Sequence, residues 1–140
     1  MTKQIWLNLP VKDVSKSKAF FATLGFGFNP RFAESKEAAC MEIGDKDVVV
    51  MLFLSSTFDQ MTKQFGGNSS QGGGVLLSFD AESKNEVDDL ATKVAHAGGK
   101  IISPPTSIQG WMYGCTFEDL DGHRWNILFM DTTKTPTIHA

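Results

Sequence analysis

The stretch GCTFEDLDGHRWNILFMD, residues Gly114–Asp131, decides how the chain folds. It divides into two extended segments around Asp121-Gly122. A tight hairpin needs positive φ, which glycine takes without steric cost, so this dipeptide marks the turn. Side chains alternate faces along a strand. Trp125, Ile127 and Phe129 therefore share one face, and Asn126, Leu128 and Met130 the other. Asn126 is polar within an otherwise apolar strand, which makes it the first candidate for a functional side chain.

Upstream of this hairpin the chain supplies the rest of a unit. Trp111–Phe117 is the strand folded onto Arg124–Met130, and Lys100–Ser103 is a shorter one closed by Pro104-Pro105. Before it, Val87, Leu90, Ala91 and Val94 recur at helical spacing. Asp80 or Ser83 is placed to cap that helix and Gly98 to end it. Val75–Phe79 opens the unit as a strand.

The N-terminal half repeats the order. IWLNLPV, residues 5–11, is a strand with Ile5, Leu7, Leu9 and Val11 on one face and Trp6, Asn8 and Pro10 on the other. Asp13 or Ser15 caps a helix over 14–24 that buries Val14, Phe20, Phe21 and Leu24, and Gly25 ends it. Phe26–Phe32 alternates aromatics as a strand does, and Ala38–Ile43 is a second extended stretch before a turn at Asp45-Lys46. VVVMLFL, residues 48–54, is the most apolar segment and fits a central buried strand. Cys40 and Cys115 fall at matching places in the two halves, each just ahead of a hairpin.

Between the halves, Ser55–Gly74 carries a short helix expected over Thr57–Phe65, then GGNSSQGGG, which has linker composition. That Gly-rich run has no GxxxxGK[ST] pattern and leads into a strand, which argues against phosphate binding. The expected fold is thus α+β. Two βαβββ repeats, about 4–54 and 75–131, are joined by a linker over 55–74 and form a curved mixed sheet around a shared cavity in one domain, residues 1–140.

Composition narrows the function. With 140 residues, 41% hydrophobic content and a net charge of −3, the chain is an ordinary globular protein. No basic run serves phosphate contact, which argues against a nucleic-acid partner, and no apolar run approaches the ~20 residues of a membrane span. The start, Met1-Thr2-Lys3-Gln4, lacks a secretory h-region, so a cytoplasmic protein with reduced cysteines is expected. Both cysteines are expected to serve as small core hydrophobes.

The opening IWLNLPVKDVSKSKAFFATLGFGF and the closing YGCTFEDLDGHRWNILFMD together resemble the vicinal oxygen chelate superfamily, which includes glyoxalase I, bleomycin- and fosfomycin-resistance proteins and extradiol dioxygenases. The resemblance spans roughly residues 4–131. It implies a cavity in which enzymes of the family hold one divalent metal through His, Glu or Gln on the first and fourth strands of each repeat. Those positions correspond here to Trp6, to Val49 or Val50, to Val75 or Leu76, and to Asn126. Val and Leu cannot ligate, Trp offers only a donor N–H, and Asn only a neutral carbonyl oxygen. A zinc, nickel or iron site wants at least three N, O or S ligands, so no metal and no cofactor are expected.

The histidines do not rebuild such a site. His96 lies late in a helix, His139 in a polar tail, and His123 beside the turn glycine, where local hydrogen bonding accounts for it. The candidate ligand-binding residues are therefore Trp6, Asn8, Met51, Met112 or Tyr113, and Asn126, with Trp111 and the Phe28–Phe32 segment adding aromatic surface. Tyr113 is taken of that pair. This lining suits a small, partly aromatic ligand bound without a metal, by a protein that the resemblance implies is a homodimer. The alternatives are a divergent lyase or dioxygenase using Zn, Ni, Mn or Fe, a structural or interaction module, and a site that is simply filled core.

Overall fold

The computed structural model describes residues 5–44, 48–64 and 75–134. The chain divides into two compact units, Met1–Gly74 and Val75–Ala140.

In the first unit, β1 (Trp6–Val11) leads to α1 (Val14–Thr23). Asp13 caps this helix, its carboxylate accepting from the Lys16 N–H at 3.0 Å. Leu24 closes it, and Gly25 then turns the chain at φ 96°. β2 (Gly27–Phe28), β3 (Ala38–Ile43) and β4 (Val48–Leu54) follow, then α2 (Ser55–Gln64). The sheet order is β1-β4-β3-β2. β1 runs parallel to β4, and the other pairs are antiparallel. The apolar run at 48–54 is thus a central strand, flanked on both sides. The core beneath α1 is Val14, Phe20 and Phe21 from the helix against Met41, Val50 and Leu52 from the sheet, all 2% exposed or less.

The aromatic stretch 26–32 is not one strand. Only Gly27 and Phe28 pair with β3; Asn29 then accepts from the Arg31 N–H at 2.9 Å and caps a 3-10 turn over Pro30–Phe32. Proline at the first helical position has the right φ and needs no donor, so Asn-Pro starts a helical turn rather than interrupting a strand. The intervening helix begins earlier than expected, directly at Ser55, whose hydroxyl donates to the Val11 carbonyl at 3.0 Å. The Asp45-Lys46 turn, Phe65 and the Gly-rich linker lie outside the described residues.

The second unit has the same element order: β5 (Leu77–Asp80), α3 (Lys84–His96), β6 (Lys100–Ile108), β7 (Met112–Glu118) and β8 (Arg124–Met130). Its sheet order, β5-β8-β7-β6, matches the first. Ser83 caps α3 by accepting from Glu86 N–H at 3.0 Å, and Gly98 turns the chain away at φ 99°. The predicted face is the buried one: Val87, Leu90, Ala91 and Val94. They pack toward Phe117, Trp125 and Ile127, where Phe117 and Trp125 stack at 6.4 Å and Phe79 sets its edge against both.

β6 departs from expectation. It runs through Pro104-Pro105 instead of stopping there. Its register against β7 slips between Ile101 and Ser103 and again between Ser103 and Thr106, one extra β6 residue each time. β6 is an edge strand, so prolines are tolerated where no neighbour awaits an N–H, and bulges absorb the surplus residues. No helix among the described residues is long and apolar enough to cross a membrane.

Candidate functional site

The site is located by strand register. In the second unit, Trp125 and Ile127 face α3; Arg124, Asn126, Leu128 and Met130 must then occupy the opposite, open face. Directly paired residues share a face. Ser78 on β5 and Thr116 on β7 both lie opposite Asn126. Asn126 thus stands at the centre of a three-strand row of polar side chains.

The row is hydrogen-bonded throughout. The Thr116 hydroxyl donates to Asn126 Oδ1 at 2.7 Å, and Asn126 Nδ2 donates to Ser78 Oγ at 3.3 Å. The 2.7 Å separation favours this orientation of the amide, because it is the usual length of an O–H···O bond and the short end of the range for N–H···O. Toward the turn, the next row holds Arg124 and Glu118, whose charged groups are 3.5 Å apart, with Lys100 across from Glu118. Toward the other end lie Leu128 opposite Gly114, then Met130 opposite Met112. A Cβ on Gly114 would come within 2.6 Å of Leu128 Cδ2 and 2.8 Å of the Ile127 carbonyl, so the glycine is what lets Leu128 lie flat there.

In the first unit the corresponding register sets Asn8 beside Met51 and Trp6 beside Val49, on the face opposite Met41, Val50 and Leu52. Trp6 is 57% exposed. Val50 is 1% exposed and belongs to the α1 face, so of the two valines matched to the family's ligand position only Val49 is on the open one. On β5 the residue opposite Asn126 is Ser78, not Val75 or Leu76. The sequence reading overlooked Ser78; carrying the period-2 count from Asn126 across the parallel pair would have found it.

Tyr113 does not share a face with Asn126. It pairs with Phe129 on the α3 side, where its hydroxyl donates to Asp88 Oδ1 at 2.7 Å and Lys84 sits 5.7 Å above its ring. The bond to Asp88 holds the phenol above its ordinary pKa. Of the pair considered, Met112 is the residue on the open face. Trp111 is half-buried in the turn before β7, its carbonyl accepting from Asp131 N–H at 2.8 Å. Phe28 pairs with Met41 on the α1 side, with the Lys18 ammonium 5.8 Å from its ring, and Phe32 belongs to the 3-10 turn.

The cysteines are buried and free, as expected of small core residues, but they are not equivalent. Cys40 lies opposite Met51 on the open face and Cys115 opposite Ile127 on the α3 face. A shift of one residue in register exchanges the two faces of a strand, and the sequence landmark was off by one. Burial raises both thiols, Cys40 with help from the neighbouring Glu42.

The closing hairpin is held by Asp119, which is 6% exposed. Its Oδ1 accepts from the N–H groups of Asp121 at 2.9 Å and His123 at 3.0 Å, and its Oδ2 accepts from Trp125 Nε1 at 3.0 Å. Gly122 supplies the positive φ of 83°. Burial pushes the Asp119 carboxyl up, against the opposing pull of His123 and of these hydrogen bonds. His123 is therefore a turn residue beside a structural carboxylate.

The side chains at the positions matched to the family's metal ligands are not a usual ligand set. Among the described residues no three His, Cys, Asp or Glu side chains gather as a ligand set. The matched positions and their open-face neighbours hold an indole, amides, a thioether, a valine and hydroxyls; the open-face carboxylates Glu42, Asp80 and Glu118 and the Cys40 thiol form no group of three among the described residues.

Comparison with known proteins places this arrangement. The family model described as the glyoxalase/bleomycin resistance protein/dioxygenase superfamily matches residues 3–127. The chain belongs to that superfamily. A hypothetical protein from S. aureus is 34% identical to this superfamily member, with a TM-score of 0.79, over 92% of this chain and 95% of that one. A glyoxalase-related enzyme from Fulvimarina pelagi has a TM-score of 0.77 at 19% identity over the whole of both chains. A lactoylglutathione lyase from Agrobacterium tumefaciens has a TM-score of 0.67 at 15% identity, over 92% of this chain and 94% of that one. The latter two likenesses concern the superfamily's fold alone. No curated protein matches the sequence.

Proposed function

We propose that this superfamily member binds a small, partly aromatic molecule without a metal ion. The observation that carries the reading is the row Ser78–Asn126–Thr116, where the neutral amide of Asn126, at a position for which the resemblance implies a metal ligand, is hydrogen-bonded to two neutral hydroxyls. Asn8, Met51 and the exposed Trp6 supply amide, thioether and indole surface in the first unit. An aromatic ligand stacked on such an indole gains ~0.5–1.5 kcal/mol beyond area burial. The fold hosts several chemistries, so the side chains and not the architecture support this choice.

The test is elemental mass spectrometry of purified protein, alone and after exposure to Zn²⁺, Ni²⁺, Mn²⁺ and Fe²⁺. It is followed by thermal-shift screening of aromatic compounds in the presence of a chelator. The expected result is no stoichiometric metal and a saturable rise in Tm. About one tightly held metal per chain, with ligand binding lost on chelation, would replace this reading with that of a lyase or dioxygenase. The same reading takes the protein to be a cytoplasmic homodimer, which light scattering checks as twice the 15.3 kDa chain mass.

A further inference from the structure

The hydrogen bonds of the open-face row run in one direction. Thr116 gives its proton to Asn126 Oδ1, and Asn126 Nδ2 gives one of its two to Ser78 Oγ. What remains at the end of the row is a pair of donors: the second Nδ2 hydrogen of Asn126 and the hydroxyl hydrogen of Ser78. No acceptor among the described residues takes either one. Ser78 can turn its hydrogen freely, whereas exchanging the ends of the amide would replace the 2.7 Å O–H···O bond from Thr116 with an N–H···O contact at the short end of its range.

On one side of this donor pair, along β7 and β8, Leu128 lies across Gly114 with Met112 and Met130 beyond, and Asp80 stands opposite Leu128 on β5. On the other side, Arg124 and Lys100 flank the single carboxylate of Glu118. A ligand lying along β7 and β8 would set a flat apolar body over Leu128 and a polar head at Asn126.

We propose that Ser78 and Asn126 form a recognition subsite for an sp² oxygen, a carbonyl or carboxylate attached to an aromatic body, with Thr116 as the positioning residue that fixes the amide. The proposal rests on the metal-free binding reading and specifies its chemistry. One oxygen has two lone pairs, enough for both donors at once. A cation of the same shape would face hydrogen with hydrogen, and a buried donor left without a partner weakens binding.

The experiment follows the Asn126 side-chain amide by ¹H–¹⁵N NMR, with a chelator present throughout. The probes are benzoate, acetophenone and benzamidinium, which share a ring and differ in the head. Benzoate, acetophenone or both should shift the Asn126 Nδ2 resonances saturably, and benzamidinium should not. Comparing the first two separates an anionic from a neutral head. Ser78→Ala and Thr116→Val should each weaken binding of the better probe about tenfold, ~1.4 kcal/mol, and Thr116→Ser should restore it. A valine that merely disturbed packing would not be distinguished from serine by the amide's resonance position; a reoriented amide would.

Equal binding of benzamidinium, no Nδ2 shift with any probe, or an unchanged affinity in Thr116→Val would overturn the subsite. Metal-free binding of the cation alone would overturn it while leaving the broader reading intact. Binding that appears only when the chelator is replaced by metal would overturn both.

Discussion

Replacing Asp119 with alanine should cost the protein ~2–4 kcal/mol of stability, most of it through a single buried donor. The carboxylate accepts from two backbone N–H groups, of Asp121 and His123, and from the Trp125 indole. The two amides lie in a turn that water can reach, so much of their loss is recovered by hydration. Trp125 is different: it is 2% exposed, and its Nε1 would be left without an acceptor in the core, a cost of ~1–3 kcal/mol. The remainder comes from the turn, whose loose ends must now be ordered without the carboxylate.

Releasing a desolvated charge offsets part of this and keeps the total from reaching the sum of three charge-assisted bonds. The assay is urea unfolding followed by circular dichroism, with Trp125→Phe as the partner in a double-mutant cycle. Phenylalanine removes the donor, so Asp119→Ala should cost ~1 kcal/mol or more less in that background than in the natural one. Strict additivity, or a loss under ~0.5 kcal/mol for Asp119→Ala alone, would refute the claim that this bond holds the hairpin to the core.

Three further outcomes follow from the same structure. Gly114→Ala should destabilise by ~1–3 kcal/mol, read as a lower urea midpoint, since its Cβ would meet the Ile127 carbonyl at 2.8 Å; an unchanged midpoint would mean β8 yields. Asp119→Asn should also reveal a pH effect. The folded-state pKa of Asp119 is raised, so its contribution is fully favourable below the unfolded value and declines as pH rises through the folded one. The natural protein should therefore lose ground relative to Asp119→Asn on going from about pH 3 to neutrality, and a difference moving the other way would contradict the burial argument. Finally, Cys40 and Cys115, buried and with raised pKa, should react with an aromatic disulfide reagent slowly in the native protein and fully in denaturant; rapid native reaction of either would show that its strand opens.

The helices were legible because their ends are written locally. Asp13, Ser83, Gly25 and Gly98 each act within a few residues of themselves, and each does what its type suggests. Strand ends were less so. Pro104-Pro105 spells a break in a central strand and an ordinary segment in an edge strand, and only the sheet order distinguishes the two. The same holds for Asn29-Pro30, where a cap and a first helical residue resemble an interrupted strand.

Of the candidate site, Asn126 stood out as the polar exception in its own strand, and Asn8 and Met51 follow from alternation. Ser78 and Thr116 did not, because they are defined by what lies beside them on other strands. Tyr113 was assigned to the wrong side for the same reason: one residue of register decides a face. Asp119 was visible only as half of an acidic pair, though an acid six residues before a buried tryptophan is a spacing worth looking for.

The edge strand β6 has a consequence beyond its own shape. A sheet's outer strand presents a line of unpaired amides onto which a foreign chain can add, the first step toward fibrils. Here that line is interrupted twice over: Pro104 and Pro105 offer no amide hydrogen, and two bulges throw the remaining ones out of step. The equivalent edge of the first unit is β2, only two residues long. By different means, both edges deny a growing aggregate a template.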